Sequence, residues 1–219
     1  MKAESKAFYR SLAALVIPIT IQNFITNAVN SADVLMLGYV GQTELSAVSL
    51  ANQFQFLLSG LFFGISSGVT MLSSQYWGKK DTDSIQAVMG IAIKIALVIT
   101  TMIALGAIFI PEILMRIYTG DDTLISIGAG YLRVIGISYV MMSFSQVYLC
   151  ALRSMERAQI STLISAIALG LNVVLNAVFI FGLLGAPKLG VIGVALATVI
   201  ARTVEIFLCM IEENDLSEF

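Results

Sequence analysis

The sequence predicts an all-α, polytopic membrane protein with six transmembrane helices, and three observations support this fold class. Hydrophobic residues make up 58% of the 219 positions and charged residues only 12%, whereas soluble domains carry roughly 25% charged residues. Apolar stretches recur along the chain, and each supplies the roughly 20 residues that a helix needs to cross a bilayer. No polar stretch is long enough to fold separately, so we expect one transmembrane unit over residues 1–219.

Hydropathy separates the apolar stretches by short polar loops. The sequences GYVGQTEL, WGKKDTDS and GAPKLG are three of these loops. The longer connector PEILMRIYTGDDTL is amphipathic, and we expect it to lie partly along the membrane surface. The predicted helices span residues 11–37, 46–76, 85–110, 124–149, 160–183 and 191–211.

The first predicted helix carries four polar side chains on one face. Gln22, Thr26, Asn30 and Asp33 fall within about 80° of one another at 100° per residue. An amide in a membrane helix is most simply explained by hydrogen bonds between helices. A carboxylate needs a stronger reason, because placing it in a hydrocarbon span costs at least ~2.5 kcal/mol. Asp33 is therefore the strongest functional candidate, and we expect this face to border a wet cavity.

The next three predicted helices carry packing signals and a few internal polar residues. Gly60, Gly64 and Gly68 recur every four residues in the second helix, a pattern that permits close helix packing. The third helix is mostly aliphatic and ends just before a proline. The fourth helix includes Tyr139 and Gln146, which are candidates for a polar interior.

The last two predicted helices each carry polar residues on one face. Asn172 and Asn176 are four residues apart in the fifth helix, so they stack and can converge on one ion. Amide oxygens suit hard cations such as Na⁺ when a carboxylate completes the shell, although on spacing alone hydrogen bonding between helices is the more common explanation for such a pair. In the sixth helix Thr198, Arg202 and Glu205 share a face, and the last two are expected to neutralise each other.

Lysine and arginine positions predict the orientation in the membrane. One side receives seven basic residues near the helix ends and the other side only two, which places both termini in the cytoplasm. The first group is Lys2, Lys6, Arg10, Lys79, Lys80, Arg153 and Arg157, and the second is Arg116 and Lys188.

The composition argues against several classes of function. Histidine is absent, and the two cysteines, Cys150 and Cys209, are too far apart in sequence to form a metal-binding pair. No nucleophile–base arrangement or phosphate-binding glycine loop is present, so we expect neither an enzyme nor a cofactor. We also expect no nucleic-acid partner, because no basic patch is present.

Several motifs resemble one family of membrane transporters. The stretches PITIQNFITNAVNSADVLMLGYVG, LSAVSLANQ, SSQYWGKKD, LNVVLNAVFIFG and LGVIGVALAT occur in the order found in the multidrug and toxic compound extrusion (MATE) family. The resemblance implies a carrier in a bacterial inner membrane that exports organic cations or amphipathic drugs in exchange for H⁺ or Na⁺. Members have twelve helices in two six-helix lobes, and this sequence resembles the N-terminal lobe.

The resemblance also implies roles for particular residues. It places ion or proton coupling at Asp33, Asn172, Asn176 and Thr198, with Na⁺ the metal ion they would hold. Many members have an acid where this chain has Asn176, so Na⁺ binding should be weaker here, or proton coupling should fall to Asp33 alone. The candidates for the substrate cavity are Gln22, Thr26, Asn30, Gln53, Tyr139 and Gln146.

One six-helix lobe cannot by itself form a cleft between two lobes. The chain is then expected to be a fragment of a longer protein, a half-transporter that pairs with itself or another half, or a nonfunctional remnant. The acidic ending EENDLSEF favours truncation. A lipid-linked sugar flippase of the same superfamily and a membrane subunit without transport activity remain alternatives.

Overall fold

The protein is described by a computed structural model, which covers the backbone of residues 2–217 and the side chains of residues 16–212 except Asn30 and Leu184. Within these residues the structure is helical and contains no strand, which confirms the predicted all-α class. The helices are α1 Lys2–Val40, α2 Gln42–Gly78, α3 Thr82–Phe109, α4 Pro111–Arg116, α5 Asp122–Ser154, α6 Ala158–Phe181 and α7 Gly190–Ser217, with a 3₁₀ turn at Leu183–Gly185.

Five of the described helical segments are long and apolar enough to cross a membrane. They correspond to the second to sixth predicted helices, so the polytopic class is confirmed. The first predicted helix lies within α1, and the count of six spans stays a prediction. The five segments are Gln42–Gly78, Thr82–Phe109, Asp122–Ser154, Ala158–Phe181 and Gly190–Glu212.

The helices extend beyond most of the predicted boundaries. The expected loop GYVGQTEL is reduced to Gly41, whose extended backbone separates α1 from α2. Hydropathy detects only the apolar part of a helix, whereas the helix itself continues into the polar interface. There it still satisfies its own backbone hydrogen bonds.

Polar residues between the long helices form helix caps. The side chain of Asp81 accepts hydrogen bonds from the Ser84 hydroxyl, at 2.6 Å, and from the Ser84 backbone N–H, at 3.0 Å, at the start of α3. These two hydrogen bonds hold the pKa of Asp81 below its usual value. Asp121 caps α5 in the same way through the backbone N–H of Thr123, at 2.8 Å. At the end of α6, Gly182 takes the left-handed conformation that favours glycine.

Helix α5 lies at the centre of the bundle. It contacts α2, α3, α4, α6 and α7, while α1 packs mainly against α6. More than half of the residues in α5 are buried, so its side chains supply much of the apolar core. This arrangement leaves the inner faces of α1, α2, α6 and α7, with Tyr131 of α5, to enclose the polar region described below.

The glycine pattern in α2 does not mediate close packing against any residue that the structure describes. A methyl group added at Gly60, Gly64 or Gly68 would meet no other atom within 4 Å. A close glycine contact between α6 and α7 lies at Gly193, where an added methyl would lie 2.6 Å from the Cβ of Phe179.

The substitution Gly193→Ala is therefore expected to destabilise the bundle by forcing α6 and α7 apart. Overpacking of this kind costs roughly 1–3 kcal/mol, so thermal unfolding in detergent should occur at a lower midpoint temperature. Gly64→Ala is the matched control, because its new methyl has no neighbour and its unfolding midpoint should be maintained. Equal shifts in the two variants would contradict the close α6–α7 contact.

Candidate functional site

A cavity of about 470 Å³ lies between α1, α2, α5, α6 and α7. Asp33 lines it from α1, Asn172 from α6 and Thr198 from α7, and Arg202 and Glu205 lie further along α7. The wall from α2 is largely polar. Its polar side chains are Ser49, Asn52, Gln53, Gln55 and Ser59.

The four predicted coupling residues form a continuous chain of hydrogen bonds across three helices. The side-chain nitrogen of Asn176 donates to the Asp33 carboxylate at 2.7 Å and to the amide oxygen of Asn172 at 3.3 Å. The side-chain nitrogen of Asn172 in turn donates to the Thr198 hydroxyl at 3.2 Å. The Thr198 hydroxyl donates to the backbone carbonyl of Val194 at 3.0 Å. The structure thus brings the four residues together, and their role in coupling stays a prediction.

Local geometry explains how α6 presents two amides to one place. Asn172 and Asn176 are separated by four residues, so they lie one above the other on the same face of the helix. Asn176 is completely buried behind Asp33, whereas Asn172 lies at the cavity wall. The pair therefore connects a cavity-lining carboxylate on α1 with a hydroxyl on α7.

One oxygen of this hydrogen-bond network, Oδ1 of Asn176, has no hydrogen-bond partner among the side chains that the structure describes. The Asn176 amide lies next to two oxygens, one of the Asp33 carboxylate and one of the Asn172 amide. Its nitrogen must therefore point towards them, and its own oxygen must point away. That buried oxygen accepts no hydrogen bond from a described residue, although buried polar atoms are nearly always paired. Asp33 forms no ion pair with a described lysine or arginine. Among the described residues, the site thus combines a carboxylate without a cationic partner with a nearby amide oxygen that accepts no hydrogen bond.

The predicted substrate-cavity residues separate into two groups. Gln53 lines the cavity. Gln22 instead donates to the Ser165 hydroxyl at 2.8 Å across the contact between α1 and α6, and Thr26 donates to the backbone carbonyl of Gln22 at 2.8 Å. The side chain of Asn30 lies outside the described residues. The polar face of α1 therefore serves helix packing over part of its length.

Tyr139 and Gln146 do not line this cavity, and their place in a substrate cavity stays a prediction. Tyr139 is completely buried in the apolar core, and Gln146 is half-buried elsewhere on α5. The physical reason is the central position of α5, where most faces of the helix contact other helices. A polar residue on such a helix does not indicate a cavity.

Sequence reasoning missed several residues of the cavity wall on α2 and α5. Ser49, Asn52, Phe56 and Ser59 line one face of α2 at spacings of three and four residues, a helical signal that was present in the sequence. Tyr131 donates its hydroxyl to the side-chain oxygen of Asn52 at 3.1 Å. No pattern in the sequence distinguishes Tyr131 from a core tyrosine, since its place depends on how α5 packs against α2.

Membrane-length helices around a polar cavity that a carboxylate lines are features of the membrane transporter class. The chain belongs to the MatE family, whose model, described as MatE, matches residues 18–178. The family predicted from the sequence motifs is thereby confirmed.

Curated relatives match nearly the whole chain. The probable multidrug resistance protein YoeA of Bacillus subtilis (strain 168) is 28% identical over 211 residues, which are 95% of this chain and 45% of that protein. The uncharacterized transporter YisQ of the same organism is 30% identical over 218 residues, which are 97% of this chain and 46% of that protein. The chain therefore spans about half the length of these relatives. Their names are those of transporters or resistance proteins and not of enzymes, as the sequence predicted.

Solved structures share the fold. The crystal structure of MATE in complex with MaD3S superposes with a TM-score of 0.82 at 23% identity, covering 91% of this chain and 44% of that chain. An outward-facing conformation of a multidrug resistance MATE family transporter of the MOP superfamily gives a TM-score of 0.80 at 23% identity and covers 90% of this chain and 43% of that chain. These likenesses establish the arrangement of the helices over about half of each solved chain.

Proposed function

We propose that this chain is one lobe of a cation-coupled exporter of drugs or toxic organic cations, with Asp33 as the residue that takes up the coupling ion. The observation that carries the proposal is the Asp33 carboxylate at the wall of the cavity. Its hydrogen-bond partner is the neutral amide of Asn176, at 2.7 Å. Asp33 is half-buried, and a partly desolvated charge is costly unless an opposite charge neutralises it, so this carboxylate favours the binding of a cation.

Exchange follows from the sign of the charges. A proton, Na⁺ and an organic cation all neutralise the same carboxylate, so binding of one weakens the binding of another. Such a negative coupling between two ligands is reciprocal, and it lets an inward flow of the coupling ion displace a cationic substrate outward. The name of YoeA, a probable multidrug resistance protein, supports the substrate class.

The geometry offers different sites to the two candidate coupling ions. A proton needs only the carboxylate of Asp33. Sodium needs several oxygen ligands, and the available ones are the Asp33 carboxylate, the amide oxygens of Asn172 and Asn176 and the Thr198 hydroxyl. Asn172 and Asn176 already bond to each other at 3.3 Å, so these side chains must turn before they can surround Na⁺. The proton is the simpler occupant of the site.

The proposal includes a second lobe, because alternating access needs two bodies that move around a central site. The chain corresponds to 45% of YoeA and 46% of YisQ. The second lobe is the remainder of a longer protein or another chain. We place the lobe in a bacterial cytoplasmic membrane with both termini in the cytoplasm, as the distribution of basic residues predicts.

The test is the release of the coupling ion when an organic cation binds. The purified chain in lipid nanodiscs is titrated with tetraphenylphosphonium in a weakly buffered, sodium-free solution while the pH is recorded. Proton coupling predicts release of up to about one proton per bound cation, because one carboxylate is involved. Sodium coupling predicts no proton release but weaker binding as NaCl replaces choline chloride. Binding that depends on neither pH nor Na⁺ would contradict the proposal.

A further inference from the structure

A second charged feature lies in the same cavity, on the face of α7 beyond Thr198. A terminal guanidinium nitrogen of Arg202 lies 2.7 Å from a carboxylate oxygen of Glu205, and both residues line the cavity. The Glu205 side chain is only 3% exposed and that of Arg202 is 19% exposed, so the arginine is the more accessible partner. A buried ion pair is often no more stabilising than two apolar residues of similar size. In a membrane protein its presence inside a cavity therefore indicates a functional role.

The effect of the pair depends on the total charge of the cavity. The charged residues among those that line it are Asp33, Glu205 and Arg202. With both carboxylates ionised, they sum to a single negative charge. Without the arginine the cavity would hold two negative charges, which would suit a divalent organic cation or two monovalent cations at once.

The position of Arg202 lets its charge act on the coupling site. Arg202 follows Thr198 by four residues, about 6 Å along the axis of α7, and Thr198 is joined to Asp33 through the two asparagines. Arg202 and Asp33 line the same cavity, and charges interact more strongly inside a protein than in bulk water, because the effective dielectric constant is lower there. The guanidinium therefore lowers the affinity for any second positive charge that enters.

We propose that Arg202 sets the cavity to one net negative charge and thereby makes it selective for monovalent over divalent organic cations. Arg202 is on this view a specificity residue that acts through its charge, and Glu205 holds it in place at the wall. The inference rests on the proposed binding of cations at Asp33 and adds the valence of the preferred ligand.

The experiment compares two dyes that share one ring system. Ethidium carries one positive charge, and propidium carries the same phenanthridinium with a second, quaternary ammonium on its side chain. Dissociation constants of both are measured by fluorescence for the full chain in nanodiscs of uncharged phosphatidylcholine, at fixed pH and ionic strength. Arg202→Gln is expected to raise the affinity for propidium relative to ethidium roughly tenfold, because it removes one positive charge from the wall.

Matched variants separate charge from other effects. The double variant Arg202→Gln with Glu205→Gln restores one net negative charge and should return the ratio of the two affinities to its wild-type value. Glu205→Gln alone leaves no net charge and should weaken both dyes, with the larger loss for propidium. Arg116→Gln removes an exposed arginine that does not line this cavity and should leave the ratio unchanged.

Each outcome bears on the proposal. If Arg202→Gln binds ethidium but the ratio stays at its wild-type value, the charge-setting role is overturned. If that variant does not fold, Glu205→Gln decides the matter, since an unchanged ratio there overturns the role equally. If the wild-type chain binds neither dye, the proposed cation binding and this inference fail together. If it binds ethidium but the ratio of the two affinities does not respond to the variants, only this inference fails.

Discussion

Asp33→Asn is expected to weaken the binding of tetraphenylphosphonium at least tenfold and to abolish its dependence on H⁺ or Na⁺. The substitution removes the carboxylate to which both kinds of cation are attracted. Two unit charges 4 Å apart interact by roughly 4 kcal/mol at an effective dielectric constant of 20. A tenfold loss of affinity is therefore the smallest effect that we expect. Titration of the variant in nanodiscs, with recording of both bound cation and released protons, gives the two quantities together.

Asp33→Asn separates the effect of the lost charge from any effect of a changed structure. The asparagine side chain keeps an oxygen that can accept the hydrogen bond now donated by Asn176, so the contact between α1 and α6 is maintained. Asp122→Asn makes the same chemical change at an exposed surface position and should bind as the wild type does. If Asp33→Asn retains wild-type affinity and ion dependence, another group carries the coupling.

The same variant decides whether the lobe works by itself. Drug-sensitive cells that express the chain are compared with cells that express Asp33→Asn for accumulation of ethidium, once both proteins are shown to be in the membrane. Lower accumulation that disappears in the variant would mean that the chain forms a paired half-transporter. Equal accumulation, together with the expected difference in binding, would mean that the lobe needs a different second half.

The sequence predicts the fold class well because the bilayer imposes a simple rule. A spanning segment must be largely apolar and must satisfy its own backbone hydrogen bonds, so hydropathy alone locates the five membrane-length helices found among the described residues. It locates their ends poorly, as the loop reduced to Gly41 shows. Interfacial residues such as Gln42 belong to the helix although they do not belong to the apolar span.

The candidate site could be predicted only in part, because its position depends on how each helix is turned about its axis. The spacing of Asn172 and Asn176 predicts that they share a face of α6, but the partners on α1 and α7 come from the family resemblance. Gln22 and Asp33 lie on one face of α1, yet Gln22 packs against α6 while Asp33 lines the cavity. Tyr139 is buried for a related reason, since the packing of α5 and not the residue type determines its surroundings.

Asn176→Asp is expected to convert the site to one that binds Na⁺ at least tenfold more tightly than the wild type does. The new carboxylate lies next to Asp33, whose oxygen now accepts a 2.7 Å hydrogen bond from the Asn176 amide. Two neighbouring carboxylates repel each other unless a cation lies between them. The variant should therefore be less stable without Na⁺ and more stable with it, because a ligand that binds only the folded state stabilises it. Thermal unfolding in NaCl and in choline chloride at equal ionic strength measures the effect.

The control for this variant is Asn52→Asp, which adds the same charge to the cavity wall on α2 without joining the hydrogen-bond chain. If both variants respond equally to Na⁺, the general field of the cavity and not a defined set of ligands attracts the ion. A response confined to Asn176→Asp would locate the ion between two carboxylates and the oxygens of Asn172 and Thr198. In that case the natural amide at position 176 is what disfavours Na⁺, because it donates a hydrogen bond where a second negative charge would coordinate the ion. The wild-type lobe would then be left with Asp33 as its one cation-binding carboxylate, and a proton is the ion that such a site binds best.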